Sequence, residues 1–129
     1  MLAPLVREMI AAELPVLEAN GVSMWGYSVL IALDRSAIRT QAALADAIGA
    51  DKTRIIAILD ELQQRGLIER VADPEDRRAR LLAITSEGRR VKEDTQAAIQ
   101  RSEERWLATL SATDRAVFLR VLQQLSDQS

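Results

Sequence analysis

Cysteine and histidine are both missing from this 129-residue chain, and its aromatics number two Trp, one Tyr and one Phe. Without Cys or His there is no disulfide framework, no Cys/His zinc or iron-sulfur site, and no nucleophilic triad built on a thiol or an imidazole. Most familiar enzyme chemistry is thereby disfavoured, and the chain reads as a non-enzyme with no metal and no cofactor. Trp25, Tyr27, Trp106 and Phe118 are too few and too scattered for a platform on which single-stranded bases would stack. Long hydrophobic runs are lacking too. The longest wholly apolar stretches, such as Ile55 to Leu59, fall far short of the ~18 residues of a membrane span. The opening residues, Met1 to Glu8, lack the basic region and long apolar stretch of a secretory signal. The expectation is a soluble, cytoplasmic protein with no membrane partner.

What is present is ordinary in bulk: 48% hydrophobic and 28% charged residues, enough for one globular domain and one core. Seventeen basic residues face nineteen acidic ones, a net charge of -2 that does not by itself suggest a polyanionic partner. Fifteen of the seventeen are Arg, whose planar fork suits phosphate and groove contacts better than Lys does.

The periodicity is helical almost throughout. Leu2, Leu5, Val6, Met9, Ile10, Leu14 and Leu17 mark an amphipathic helix over 2–19, with Pro4 suited to its first turn, Pro15 expected to kink it, and Asn20-Gly21 as its stop. A second helix is expected over about 23–34, capped by Ser23 and buried through Val29, Leu30 and Leu33. Thr40 can cap a short third helix over Gln41 to Ile48 that Gly49 ends, and a fourth begins near Asp51 and runs to about Gln64. Two short apolar runs, 67–71 and 81–84, then flank a charged, turn-forming stretch, which predicts a two-stranded hairpin with a long tip. Thr85 or Ser86 caps a long polar helix reaching about Leu110. Ser111 and Asp114 form a capping-box pattern opening a last helix, buried through Val117, Phe118, Val121, Leu122 and Leu125.

Residues 41–60 meet the steric demands of a helix-turn-helix: small Ala45, Gly49 at the turn, and Leu44, Ile48, Ile55 and Ile58 where the two helices cross. A plain helical hairpin would meet them as well. The hairpin that follows directly makes the whole a winged helix, in which the second helix enters the major groove and the hairpin tip reaches the minor groove or backbone. Charge position supports this. From Arg77 to Arg90 five Arg face one acid, Glu87, so the segment is +4 and the remaining chain is -6. A charge run is ordinarily a solvated turn, but here it falls where a wing tip would be. Lys52, Thr53 and Arg54 occupy the first turn of the second helix, where backbone N–H groups also point at anions. Thr40 and Gln41, at the start of the preceding helix, with Arg77, Arg78 and Arg80, complete the candidate DNA-binding set.

Asp76-Arg77-Arg78-Ala79-Arg80-Leu81-Leu82-Ala83-Ile84-Thr85 with Gly88, preceded by Leu62 and Arg65-Gly66-Leu67-Ile68-Glu69-Arg70, resembles the wing signature of the MarR family of bacterial winged-helix repressors. The resemblance runs in order along nearly the whole chain. It implies a single domain over 1–129, mainly α with a two-stranded β wing: a winged helix-turn-helix at 23–85, flanked by dimerisation helices at 1–20 and 86–129. It implies a homodimeric repressor of transcription that binds a pseudo-palindromic double-stranded operator. It also implies that Asp76 pairs with a wing Arg to hold the wing's shape, and that Arg78 approaches the minor groove, whose narrow A/T-rich stretches attract arginine. Where the family often has Thr and Arg in the middle of the recognition helix, this chain has Ile56 and Ala57, neither able to hydrogen-bond a base, so readout is expected from Lys52, Thr53 and Arg54.

The terminal helices each carry an apolar stripe that a second copy would bury, the alternative being closure of one monomeric core. A polar rod over 86–110, ~36 Å long at 1.5 Å per residue, would overhang one small domain and favours the dimer. The family resemblance further implies release of DNA by a small aromatic or anionic effector. Met9, Met24, Trp25 and Tyr27 are the candidates to line its pocket, with plain core packing as the competing reading. Sensing through a thiol is excluded. The alternative function is a winged helix used only for protein–protein contact. An enzyme finds no support in acid pairs such as Asp60-Glu61 or Glu103-Glu104, which are helix neighbours on different faces.

Overall fold

The computed structural model describes residues 2–38 and 40–128, so Met1 and Ser129, the ends of the expected domain range, lie outside the described residues. The chain forms α1 (Leu2–Ala19), α2 (Met24–Arg35), α3 (Gln41–Ile48), α4 (Lys52–Gln64), β1 (Ile68–Ala72), β2 (Arg80–Ile84), α5 (Ser86–Leu107) and α6 (Ala112–Ser126). The four helices with a predicted cap start on it. The side-chain oxygens of Ser23, Thr40, Thr85 and Ser111 accept the backbone N–H of Gly26, Ala43, Gly88 and Asp114 at 2.9–3.1 Å. Pro15 sits inside α1 without dividing it. α5 ends at Leu107, about a turn before the expected Leu110.

The core is centred on α2, which packs against α1, α3, α4, α5 and β2. Val29, Leu30 and Leu33 of α2 meet Leu44 and Ala45 of α3, Ile55, Leu59 and Leu62 of α4, and Leu67, Ile68 and Leu82 around the hairpin. Val91 and Ile99 attach α5 to the same cluster, and Leu17 attaches α1. Gly49 makes the turn between α3 and α4 with φ +72°, a left-handed conformation that favours glycine, while its N–H donates back to Ala45 and Asp46.

β1 and β2 pair antiparallel from Ile68 opposite Ile84 to Ala72 opposite Arg80. The hairpin gains a third, one-residue partner that the sequence does not announce. Ile38 and Leu82 exchange backbone hydrogen bonds of 3.0 and 2.7 Å, fixing the hairpin to the segment between α2 and α3. A single bridged residue has no period-2 pattern to read. The hairpin is also secured at its exit. The Thr85 hydroxyl donates to the Gly66 carbonyl at 2.6 Å, and the Thr85 N–H donates to the Leu67 carbonyl at 3.1 Å. Gly88 lies so close to that Leu67 carbonyl that a Cβ would overlap it.

One expectation needs correction. α6 is not buried through Val117, Phe118, Val121, Leu122 and Leu125 within the chain, because all five are exposed and no α6 residue is buried. Closure of a monomeric core by α6 is therefore ruled out. Leu2, Leu5, Val6, Ile10 and Leu14 of α1 are likewise exposed. The described residues contain no single helix long and apolar enough to cross a membrane.

Candidate nucleic-acid interface

α4 and the hairpin tip carry the basic side chains singled out by the sequence. Lys52, Thr53 and Arg54 are exposed on the first turn of α4, whose opposite face is held in the core by Ile55, Leu59 and Leu62. Asp51 caps the helix, its Oδ1 accepting the Arg54 N–H at 2.8 Å. This changes the expected electrostatics. One of the backbone donors thought open to an anion is already occupied, by a carboxylate, so attraction at this end rests on the Lys52 and Arg54 side chains rather than on the helix terminus.

Arg54 has a second constraint that the sequence did not reveal. Its guanidinium lies 5.6 Å from the centre of the Trp25 ring, a cation–π contact between α4 and α2. Trp25 thus borders the basic face of α4. Thr40 is exposed and uses its hydroxyl oxygen as the α3 cap, and Gln41 beside it is half-buried.

The hairpin tip is an ordered turn. Asp73 N–H donates to Ala79 O at 3.2 Å, Asp76 N–H to Asp73 O at 3.2 Å, and Ala79 N–H to Asp76 O at 3.0 Å. Two carboxylates reinforce this: Asp73 Oδ1 accepts from Glu75 N–H at 2.9 Å and Asp76 Oδ1 from Arg78 N–H at 3.0 Å. The expected ion pair between Asp76 and a wing arginine is not formed among the described residues. Asp76 holds the backbone instead, through the Arg78 N–H. Asp73, buried at the base of the tip, is a shaping residue that sequence reasoning missed. The signal was there in Asp73-Pro74, a turn-initiating pair.

The +4 of residues 77–90 divides in the fold. Arg77, Arg78 and Arg80 are exposed and make no ion pair among the described residues. Arg89 and Arg90 are committed elsewhere. Arg90 pairs with Glu87 and with Asp94, while Arg89 Nε lies 2.8 Å from Asp34 Oδ1 and Lys92 Nζ lies 2.6 Å from Asp34 Oδ2. Hydrogen bonds from Lys92 and then Arg89 hold the Asp34 carboxyl below the usual carboxylate range. This triad joins α2 to α5 and is structural. Of the basic residues singled out, Lys52, Arg54, Arg77, Arg78 and Arg80 are exposed with no ion pair among the described residues.

The four candidate effector contacts do not converge. Met9 lines an apolar cleft of about 540 Å³ between α1, the end of α5 and α6, with Leu5, Trp106, Phe118, Leu122 and Glu103. Met24 lies in a separate groove with Leu14, Leu17 and Val22. Tyr27 packs against the core, its hydroxyl pushed up by burial and by the Glu13 and Glu103 carboxylates, and Trp25 is under Arg54. Burial and Glu103 likewise raise Glu13.

Comparison with known proteins places the arrangement. A family model described as the MarR family matches residues 20–79, from the end of α1 through the tip of the hairpin. CouR from Rhodococcus jostii RHA1, solved bound to p-coumaroyl-CoA, is 31% identical, with 96% of this chain and 87% of that chain covered and a TM-score of 0.76. The chain belongs to the MarR family. The MarR fold accounts for six helices and a two-stranded hairpin in this order. The transcriptional repressor CouR bound to a 23-mer DNA duplex is 27% identical over 97% of this MarR-family chain and 89% of that chain, with a TM-score of 0.78. A putative transcriptional regulatory protein for the hcr operon of Thauera aromatica is 29% identical over 84% of this chain, which spans 66% of that relative's length.

Proposed function

We propose that this MarR-family chain is a homodimeric transcriptional repressor that binds a pseudo-palindromic operator in double-stranded DNA. The observation that carries the reading is the hairpin tip. Three arginines with no ion pair among the described residues stand on, or directly after, a turn ordered by Asp73 and Asp76, in a hairpin that follows a helix whose exposed first turn bears Lys52, Thr53 and Arg54. A solvated loop needs no such ordering. Cations held apart from neighbouring carboxylates remain available to phosphates. In this reading α4 lies in the major groove and Arg78 approaches the minor groove, with Thr40 and Gln41 beside the backbone. The DNA duplex in the CouR complex supports it by likeness.

The second copy is supported by the exposed apolar faces of α1 and α6, which a two-fold pairing would bury in one interface. The apolar cleft beside Met9 shares Leu5, Phe118 and Leu122 with those faces, so a small aromatic effector there would compete with, or bind at the margin of, the second copy. The interaction-module alternative predicts no salt-dependent duplex binding.

The test is binding to the region upstream of the coding sequence and to a random-sequence duplex at several salt concentrations. Arg78→Ala should weaken binding to every duplex and reduce the slope of log affinity against log salt, by about one counterion for a lost phosphate contact. Wild-type affinity in both Arg78→Ala and Arg54→Ala at matched salt would remove these roles.

A further inference from the structure

Ile56 is out of place. Among the described residues fourteen large apolar side chains are exposed, and thirteen lie on α1, α6, or the end of α5 and the turn after it. The other is Ile56, in the second turn of α4 and 50% exposed, whereas the adjacent Ile55 is 1% exposed and anchors the same helix in the core. Its helical neighbours at i-4, i-3 and i+4 are Lys52, Thr53 and Asp60, all exposed, Ala57 beside it is exposed as well, and Leu59 at i+3 is buried in the core. Half of this apolar side chain is open to solvent, and a β-branched residue is a poorer helix former than Lys, Gln or Arg at an exposed position. The dimer stripe does not account for it, since that stripe is carried by other helices.

We propose that Ile56 determines part of the operator sequence by packing against the C5-methyl group of a thymine. The inference rests on the DNA-binding reading above, in which the exposed face of α4 meets the major groove. Of the groups displayed on base edges there, the thymine methyl is the only apolar one. Ile56 cannot hydrogen-bond a base, but it can exclude water from a methyl. The small side chain of Ala57 lets the helix backbone approach closely. Lys52 and Arg54 supply affinity at the helix start, and Ile56 adds a preference for T over C one turn further along.

The experiment begins by selecting a tight-binding duplex from a random library with the wild-type protein. Each thymine of that duplex is then replaced in turn by deoxyuridine, which lacks only the C5-methyl. Removing one buried methyl should weaken wild-type binding ~4-fold per half-site, or ~15-fold when both half-sites are replaced. Ile56→Ala, which leaves the core face untouched, should bind the thymine and deoxyuridine duplexes equally, and Ile56→Val should fall between. A wild-type protein indifferent to deoxyuridine at every position would overturn the proposal, as would a penalty that persists unchanged in Ile56→Ala. If Ile56 serves a protein partner instead, Ile56→Ala keeps wild-type affinity for both duplexes, which also overturns it. Failure to select any duplex would sink the DNA-binding reading itself, an outcome distinct from binding without methyl dependence.

Discussion

Replacing Phe118 and Leu122 together by alanine should weaken dimerisation about 1,000-fold while leaving the winged helix folded. Full burial of a Leu or Phe side chain stabilises by about 1.5–3 kcal/mol. Leu122 is 44% exposed and Phe118 38% in the single chain, so a partner that covers what remains gains about 1 kcal/mol from each. In a two-fold dimer every substitution occurs twice, which brings the loss to about 4 kcal/mol, or nearly three decades in the dissociation constant. No α6 residue is buried in the isolated chain, so the monomer should lose little. Sedimentation equilibrium across a wide concentration range measures the dissociation constant, and far-ultraviolet circular dichroism checks the fold. Operator affinity should fall with dimerisation, because two half-sites then have to be found separately. An unchanged dissociation constant would refute the argument, and so would a wild-type chain that stays monomeric at high concentration.

Trp25→Leu should remove the aromatic face beneath Arg54 and weaken DNA binding ~2- to 5-fold, the scale of an exposed cation–π contact, with Trp25→Phe recovering part of it in a mobility-shift titration. Gly88→Ala should lower the midpoint of thermal unfolding, because the new Cβ overlaps the Leu67 carbonyl and overpacking of this kind costs about 1–3 kcal/mol. Asp34 is an acid whose folded-state pKa is depressed by Lys92 and Arg89, so its contribution is present above the ordinary carboxylate range and is lost as pH falls through the lowered value. Asp34→Asn should therefore be less stable than wild type by about 1 kcal/mol in urea at pH 7, and the two should converge in strong acid. A difference that persists at low pH would mean the triad acts through packing instead.

The helices were legible because their signals are local. Apolar spacing located α1 to α4, and Ser23, Thr40, Thr85 and Ser111 each cap where a hydroxyl beside an apolar run should, since an N-cap involves only its own first turn. Gly49 at the helix-turn-helix turn and the hairpin around residues 73–79 were readable for the same reason. The basic set on the first turn of α4 and on the tip was readable as a list of residues, since charge and order along the chain are sequence properties. What each cation meets is not.

Composition by itself determined that no thiol or imidazole carries this protein's chemistry, and the order of periodic segments determined a mainly helical chain with one hairpin. Tertiary structure alone decided which charges are paired. It assigned Arg89 to Asp34, 55 residues away in the chain, and left Arg77, Arg78 and Arg80 without an ion pair among the described residues, so that only three of the five arginines in a +4 segment are uncommitted there. It set the Trp25 ring beside the Arg54 guanidinium, engaged the Asp76 carboxylate with the Arg78 backbone N–H, and left the apolar face of α6 uncovered within the chain. The physical reason is common to these cases. Hydrophobic spacing and capping act within a turn or two of helix, whereas an ion pair, a ring contact or an uncovered face depends on the distance between elements that only packing sets.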